Sequence, residues 1–174
     1  LRSIVIPNKV TYIDNHAFYG CNRLGDITLP NGITRIGYSA FSGCSIQTIN
    51  IPKSVIEIGA WAFKDCSNLS SIDIPEGVTS IGTYTFYGCE RLQSINLPST
   101  LEYIGAEAFY NCNNLKEVYY SGTEAEWSAV SIKSGNDLLI NATVYCEEPT
   151  AEPTAKPTAE PTAEPMMEDE FYEG

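Results

Sequence analysis

Hydrophobic and polar positions alternate along this chain in short segments that recur at nearly constant intervals. Each segment has the form L-x-x-I-x-[I/L]-P, and a second apolar pair, [V/I/L]-x-x-I, follows it. A period of two is typical of a half-buried β-strand, because successive side chains of a strand point to opposite faces. Proline ends such a strand, since it has no N–H for a neighbouring strand. Each unit is therefore predicted to contain one strand and a second, shorter extended segment.

The spacing of three residue types shows that these segments belong to an internal repeat. Phenylalanine, cysteine and proline each recur in one common phase, with steps of 23, 22, 23 and 23 residues. The shorter step comes from a one-residue deletion between Cys44 and Ile46. A unit of this length cannot bury its own apolar face, so stacked units are expected to share one core, as in a solenoid. The three series are Phe18, Phe41, Phe63, Phe86 and Phe109; Cys21, Cys44, Cys66, Cys89 and Cys112; and Pro7, Pro30, Pro52, Pro75 and Pro98.

The repeat divides the chain into four parts. The A-F-x-x-C stretch near the end of each unit predicts a helical or 3₁₀ turn that leads back to the next strand. Five full units begin at Leu1, Leu24, Ile46, Leu69 and Leu92, and a sixth, from Leu115, departs from the pattern after its strand. We predict repeats over 1–114, a last strand with a C-terminal capping unit over 115–146, an extended Pro/Thr/Glu-rich linker over 147–165, and an acidic tail over 166–174.

The capping unit contains a short predicted helix. Thr123 can serve as its N-cap, with Glu126 completing a T-x-x-E capping box. Trp127 is then expected to cover the last strand, whose Leu115 and Val118 would otherwise be exposed.

The repeat residues resemble the BspA-like branch of the leucine-rich repeats. The segment LSSIDIPEGVTSIGTYTFYGC (Leu69–Cys89) is very close to that family's pattern, and VYYSGTEAEWSAVSI with the following NATVY is similar to a C-terminal capping unit of such proteins. The resemblance covers residues 1 to about 146. It implies a leucine-rich repeat solenoid of the α/β horseshoe type, with short parallel strands, turns or 3₁₀ helices, and about five repeats plus a C-terminal cap. It also implies a bacterial or protist cell-surface or secreted protein that adheres to a host, matrix or cell-surface protein.

The start of the chain suggests that more repeats precede it. Leu1 opens a unit without an initiator methionine, a signal peptide or a visible polar cap. We expect an excised or processed chain, and an uncapped first strand would favour end-to-end self-association.

Charge excludes several classes of function. The formal net charge is −12, and residues 147–174 carry nine of the 22 acidic residues with one lysine. This balance disfavours nucleic acid as a partner, because binding phosphates requires an excess of Lys and Arg. No apolar run approaches the ~20 residues of a membrane-spanning helix, so no membrane insertion is expected. The P-T-A-[E/K] repeat from Pro149 to Pro165 predicts an extended polyproline II spacer.

The cysteines allow two interpretations. Five of them share one phase and would form a column, either as a disulfide ladder or soft-metal strip, or as buried thiols that pack like small apolar groups. The sequence has no C-x-x-C pair of the kind that zinc sites use, which favours packing. Cys146 is out of phase and belongs to the capping unit. The redox state stays open at this point.

No catalytic, metal or cofactor site is predicted. His16 is the only histidine, and the equivalent residues of later units are Ser39, Trp61, Tyr84 and Glu107. The pair Asp26 and Asp73 falls on outward strand positions in different columns, which does not suit paired acid–base work. The chain has no P-loop, G-x-G-x-x-G or H-E-x-x-H motif.

Two surfaces remain as candidates for binding. Short polar side chains two and four positions after each unit's first residue would line a strand face that can hydrogen-bond an extended partner. Tyrosines and tryptophans at variable positions along the turns would form an aromatic contact surface, suited to protein or carbohydrate. The strand-face candidates are Asp26, Thr28, Thr48, Asn50, Ser71, Asp73, Ser94, Asn96, Glu117 and Tyr119. The aromatic candidates are Tyr38, Trp61, Tyr84 and Tyr103, from a wider set that adds Tyr12, Tyr19, Tyr87 and Tyr110.

The predicted function is a non-enzymatic protein-binding or adhesion module that recognises its partner through the repeat face. The alternatives are a carbohydrate-contacting accessory module of a larger surface enzyme and a purely structural or assembly repeat. The aromatic residues and the spacer motivate the first alternative. The uncapped first strand motivates the second.

Overall fold

The computed structural model of this protein describes residues 1–148. The predictions for the extended linker and the acidic tail fall almost wholly on residues 149–174, outside the described part. Each repeat forms one coil, which we define as one winding of the solenoid, and successive coils stack with their strands parallel. The elements in chain order are β1 (Ser3–Val5), β2 (Tyr12–Ile13), β3 (Asp26–Thr28), β4 (Arg35–Ile36), β5 (Glu57–Ile58), β6 (Ser71–Asp73), β7 (Ser80–Ile81), β8 (Ser94–Leu97), β9 (Tyr103–Ile104), β10 (Glu117–Tyr120), α1 (Glu124–Ala129), β11 (Ser131–Ile132), α2 (Asp137–Ile140) and β12 (Thr143–Cys146).

Two sides of the coils carry β-structure. On the first side, β1 pairs with β3, and β6, β8, β10 and β12 form a four-stranded sheet. On the second side, the V-x-x-I segments form two three-stranded sheets, β2-β4-β5 and β7-β9-β11. The registers place equivalent repeat positions opposite each other, as in Ile72 against Ile95 and Ile95 against Val118. The stacked strands and their parallel direction agree with the predicted solenoid.

The first side is interrupted at the third coil. Residues 46–51, which carry the predicted strand positions Thr48 and Asn50, are not in a strand. This unit has the one-residue deletion, and it lacks the turn in which the first residue of the unit donates its N–H to the cysteine three residues earlier, as Leu69 does to Cys66. The connection between Cys44 and Ile46 is therefore one residue shorter, and the third coil does not form the regular strand of the other coils.

The third side of each coil is built from turns rather than from a continuous helix. Within it, N–H groups bond to carbonyls three residues earlier, as from Cys66 to Phe63. A residue with positive φ interrupts the run, so the bonds do not continue as a 3₁₀ helix. Alternate N–H groups instead donate to the next coil, as from Phe63 to the Thr85 carbonyl at 2.9 Å.

A column of stacked phenylalanines fills the core beneath these turns. Adjacent ring centroids are 5.3–5.6 Å apart, from Phe18 to Phe109. The isoleucines, leucines and valines of both strand sides close the core around them. The inward positions predicted from the period of two are therefore confirmed.

Close stacking of the coils explains a glycine that follows the second strand segment of most units. A Cβ added at Gly59 would lie 2.6 Å from the backbone nitrogen of Tyr38 and 2.7 Å from the carbonyl carbon of Gly37. Real Cβ atoms do not approach backbone so closely, so only glycine fits between these two coils.

The C-terminal cap closes the last coil with a further strand and a side chain. Thr123 and Glu126 form the predicted capping box at α1, and hydrogen bonds from Thr123 lower the pKa of Glu126. Trp127 packs on the last strand as expected, with its ring centroid 5.3 Å from that of Tyr120 in β10, and β12 also lies beside β10 in parallel register. An added strand covers the last coil more completely than one side chain, since it also pairs its backbone groups.

Asn136 ends the hydrogen-bond ladder of the third side. Its side chain is 1% exposed. Its Oδ1 accepts from the Phe109 N–H at 3.0 Å, where a backbone carbonyl serves in the preceding coils. Its Nδ2 donates to the carbonyls of Gly105 at 2.9 Å and Lys133 at 2.8 Å. The amide oxygen thus takes the place of the carbonyl that a further coil would provide. Without it, the Phe109 N–H would be buried without a partner.

The cysteine column consists of free thiols. Each buried Sγ donates to a phenylalanine carbonyl of the preceding coil, at 3.1–3.2 Å. Burial raises the pKa of the Cys44 and Cys112 thiols to about 12 and raises the pKa of Cys66 and Cys89 as well. The buried thiols thus pack against the core in the way that the packing interpretation expects.

Alkylation should separate the two kinds of cysteine. At neutral pH iodoacetamide is expected to modify the half-buried Cys21 and Cys146 and to leave Cys66, Cys89 and Cys112 unmodified until urea unfolds the chain, as read by mass spectrometry. Rapid labelling of Cys89 in the native protein would contradict its burial.

The raised pKa values of the buried thiols also predict how stability depends on pH. Because the native state holds the buried protons more tightly than the unfolded state does, the stabilisation should be complete below the ordinary thiol pKa and should fall as the pH rises towards 12.

Candidate binding surfaces

The predicted strand face is present on the first side of the coils. Of the ten predicted residues, eight are exposed, and Ser94 and Glu117 are half-buried. β6, β8 and β10 align them in two rows, with Ser71, Ser94 and Glu117 in one row and Asp73 with Asn96 in the other. The interruption at residues 46–51 separates this region from Asp26 and Thr28 on β3. The ten residues therefore do not form one continuous ladder.

Hydrogen bonds join polar side chains of this face, both between neighbouring strands and within one strand. Asn96 Nδ2 donates to Asp73 Oδ1 at 2.5 Å. The Tyr119 hydroxyl donates to Glu117 Oε2 at 3.1 Å, and this hydrogen bond raises the pKa of Tyr119. These hydrogen bonds hold the side chains in defined positions in the unbound protein.

A stacked tyrosine pair lies at the C-terminal end of the strand face. The rings of Tyr119 and Tyr145 are 5.0 Å apart and 15° from parallel, and they stay 41% and 47% exposed. The pair borders a depression of about 410 Å³ that Asn96, Ser121 and Glu147 also line. A smaller depression of about 230 Å³ lies between Asn50 and Asp73, among others. Sequence reasoning missed Tyr145, although the V-Y of residues 144–145 matches the V-Y of 118–119.

The third side carries a continuous row of aromatic rings, here called the aromatic ridge. Successive ring centroids are 5.0–5.9 Å apart, and most pairs meet edge to face or tilted. The ridge consists of His16, Tyr38, Trp61, Tyr84, Tyr87 and Tyr110.

The placement of Tyr103 with the other aromatic candidates was wrong. Tyr103 lies in β9 on the second side, paired with Ser80 and Ser131, and Lys133 Nζ is 5.5 Å from its ring centroid. Its unit position belongs to the V-x-x-I segment, whereas the ridge residues belong to the turns. Tyr38, Trp61 and Tyr84 do adjoin one another, as expected of one surface.

One lysine is built into the ridge. Lys64 Nζ lies 5.2 Å from the ring centroids of both Trp61 and Tyr87, which is cation–π distance. It also donates to Asp65 at 2.7 Å, and this hydrogen bond raises the pKa of Lys64. The charge of the lysine is thus balanced within the ridge. Sequence reasoning assigned no role to Lys64 and weighed His16 only as a catalytic candidate.

His16 has aromatic surroundings. Its ring centroid lies 5.8 Å from that of Tyr19 and 5.2 Å from that of Tyr38.

Among residues 1–148, no group of three or more His, Cys, Asp or Glu side chains is arranged to hold a metal ion. The same part of the chain contains no helix with the length and apolarity needed to cross a membrane.

The sequence pattern of the BspA type leucine rich repeat region matches residues 1–121 in six copies. This chain belongs to the BspA-type leucine-rich repeat family. The stacked parallel coils described above are the structural form of these BspA-type repeats, and the matched range ends just before the capping helix α1.

Several solved structures share the fold. A leucine rich cell surface protein from Faecalibacterium prausnitzii A2-165 aligns with a TM-score of 0.72 and 40% identity over 77% of this chain. This BspA-type chain spans 36% of the length of that protein. The pneumococcal vaccine antigen PcpA aligns with a TM-score of 0.58 and 21% identity, covering 72% of this chain and 31% of its own, and so shows the fold alone. No curated protein matches this chain.

Proposed function

We propose that this BspA-type repeat chain is a non-enzymatic module of a cell-surface or secreted protein, and that it binds a partner protein at the C-terminal half of the strand face. The observation that carries the proposal is the exposed, stacked pair of Tyr119 and Tyr145 beside the 410 Å³ depression. The similarity to a cell surface protein of F. prausnitzii supports the location.

Physical properties of the tyrosine pair support protein recognition. Tyrosine presents a large ring and a hydroxyl with few rotatable bonds, so little conformational entropy is lost on binding. The two rings already stack, and the hydrogen bond between Tyr119 and Glu117 restricts them further. Residues fixed before association are typical of the few that dominate binding energy.

Charge indicates the chemistry of the partner surface. Asp73, Glu117 and Glu147 lie on or beside this part of the face. Carboxylates accept hydrogen bonds and attract cations, so a partner carrying Lys, Arg or amide donors would match them.

Binding assays with the 174-residue chain test the proposal. Immobilised chain is exposed to fibronectin, laminin and type I collagen, and dissociation constants are measured by interferometry. A double variant, Tyr119→Ala with Tyr145→Ala, is expected to weaken binding of the recognised protein by about tenfold or more, because two stacked anchors are removed.

Tyr12→Ala provides the matched control, since Tyr12 is an exposed tyrosine of β2 on the second side. It should leave the dissociation constant unchanged. Equal losses in the control and the double variant would contradict the assigned site. No binding to any of the three proteins, with concentration-dependent oligomers instead, would favour the structural or assembly role.

A further inference from the structure

Three of the six residues of the aromatic ridge have a backbone conformation that glycine would adopt more easily. Trp61 has φ of 65° and Tyr84 has φ of 58°, both in the left-handed region that bulky residues rarely occupy. The equivalent residues of the other coils share this conformation. They are His16 (58°), Ser39 (51°) and Glu107 (52°).

A second left-handed position in the same turns shows what the fold alone requires. Four residues later, the chain carries Gly20, Gly43 and Gly88, and Asp65 and Asn111 in the other two coils. Glycine, Asn and Asp are the residues that tolerate this conformation best. The first position has the same φ and contains no glycine in these five coils. The first position therefore keeps a side chain in each coil despite the backbone strain. Strained residues of this kind are typical of functional sites.

The ridge combines ring faces with hydrogen-bonding groups. Tyr38 and Tyr110 are exposed, and Trp61, Tyr84 and Tyr87 are half-buried. Tyrosine hydroxyls, the indole N–H and the Lys64–Asp65 pair supply donors and acceptors beside the rings. A sugar ring presents both C–H surfaces, which stack on aromatic faces, and hydroxyls, which need hydrogen-bond partners.

The direction of the ridge and its charge define the ligand further. The rings run from coil to coil along the stacking direction, so a linear chain of sugar units can contact several coils at once. Lys64 is paired with Asp65, and residues 1–148 carry 15 acidic and nine basic residues, which disfavours an acidic polysaccharide. We propose that the aromatic ridge is a binding site for an extended, neutral glycan, separate from the protein-binding strand face.

Affinity electrophoresis of the 174-residue chain tests this proposal. Native gels contain hydroxyethyl cellulose, xylan, galactomannan or, as an acidic probe, polygalacturonic acid. At least one neutral polysaccharide should retard the wild-type chain, and polygalacturonic acid should not. Trp61→Gly should reduce the retardation by about tenfold in apparent affinity, an effect typical of removing one stacked anchor.

The choice of glycine keeps the variant folded, because glycine accepts the left-handed backbone without strain. Circular dichroism and the thermal midpoint of Trp61→Gly verify this. Tyr103→Ala is the matched control, because Tyr103 is an exposed tyrosine on the second side. It should keep the wild-type retardation.

Three results would overturn the proposal. They are no retardation by any neutral polysaccharide, equal retardation of wild type and a folded Trp61→Gly variant, and loss of retardation in Tyr103→Ala. Loss of matrix-protein binding in Trp61→Gly, without any polysaccharide binding, would assign the ridge to a protein partner instead.

Discussion

Replacing Phe63 by alanine is expected to lower the free energy of unfolding by about 3–5 kcal/mol. The side chain is 0% exposed and lies in the middle of the phenylalanine column, 5.5 Å from the Phe41 ring and 5.6 Å from the Phe86 ring. Its removal loses apolar burial and leaves a cavity between two coils whose backbones are hydrogen-bonded and cannot collapse freely.

Urea unfolding followed by circular dichroism measures this effect. Tyr110→Ala is the control, because it removes a ring of similar size from the exposed end of the ridge, and it should change stability by less than about 1 kcal/mol. A Phe63→Ala protein as stable as wild type would show that the column does not carry the core. Because the coils stack in one dimension, the parts of the solenoid on either side of the weakened coil can unfold separately. The urea transition is then expected to be broader.

Replacing Asn136 by leucine is the second change with a large expected effect, a loss of about 3 kcal/mol or more. Leucine has the same branching at Cγ but is larger, and it can neither accept from the Phe109 N–H nor donate to the carbonyls of Gly105 and Lys133. The Phe109 N–H would be left buried without a partner, at a cost of about 1–3 kcal/mol, and the carbonyls of Gly105 and Lys133 would each lose a hydrogen bond.

An isosteric variant separates hydrogen bonding from packing. Asn136→Asp keeps the shape and the acceptor but removes both donors at neutral pH, so it should also be destabilised. Asn31→Ala, at an exposed residue, should be neutral in the same urea titration. Wild-type stability of both Asn136 variants would mean that the amide does not end the ladder.

Much of the fold could be predicted from the sequence. Phe, Cys and Pro recurring in one phase require stacked units, because residues at equivalent positions must then form columns. The period of two placed residues such as Ile72 and Ile95 inside and Asp73 and Asn96 outside, and the structure agrees. The capping box at Thr123 was predictable as well, since it depends on side chains three residues apart.

The candidate surfaces could be predicted only in part. Strand positions have a defined outward direction, so the exposed polar rows were found. Turn positions have none until the backbone dihedral angles are known. Tyr103 was treated as a turn residue and grouped with Tyr38, although it lies in the short strand β9 on another side. Tyr145 was missed because its contact with Tyr119 joins two segments 26 residues apart across an irregular capping unit.

The sequence by itself determined the repeat, the stacking of the units and the apolar columns, because each follows from residue type and constant spacing. The resemblance of the repeat residues to the BspA-type family implied the parallel strands. Only the tertiary structure decided which side each aromatic ring occupies, where the strand face is interrupted, and how Asn136 closes the ladder. Those features depend on left-handed turn residues and on contacts between coils. The path of a coil depends on the backbone dihedral angles of all its residues. A local pattern of hydrophobic and polar residues does not specify those angles.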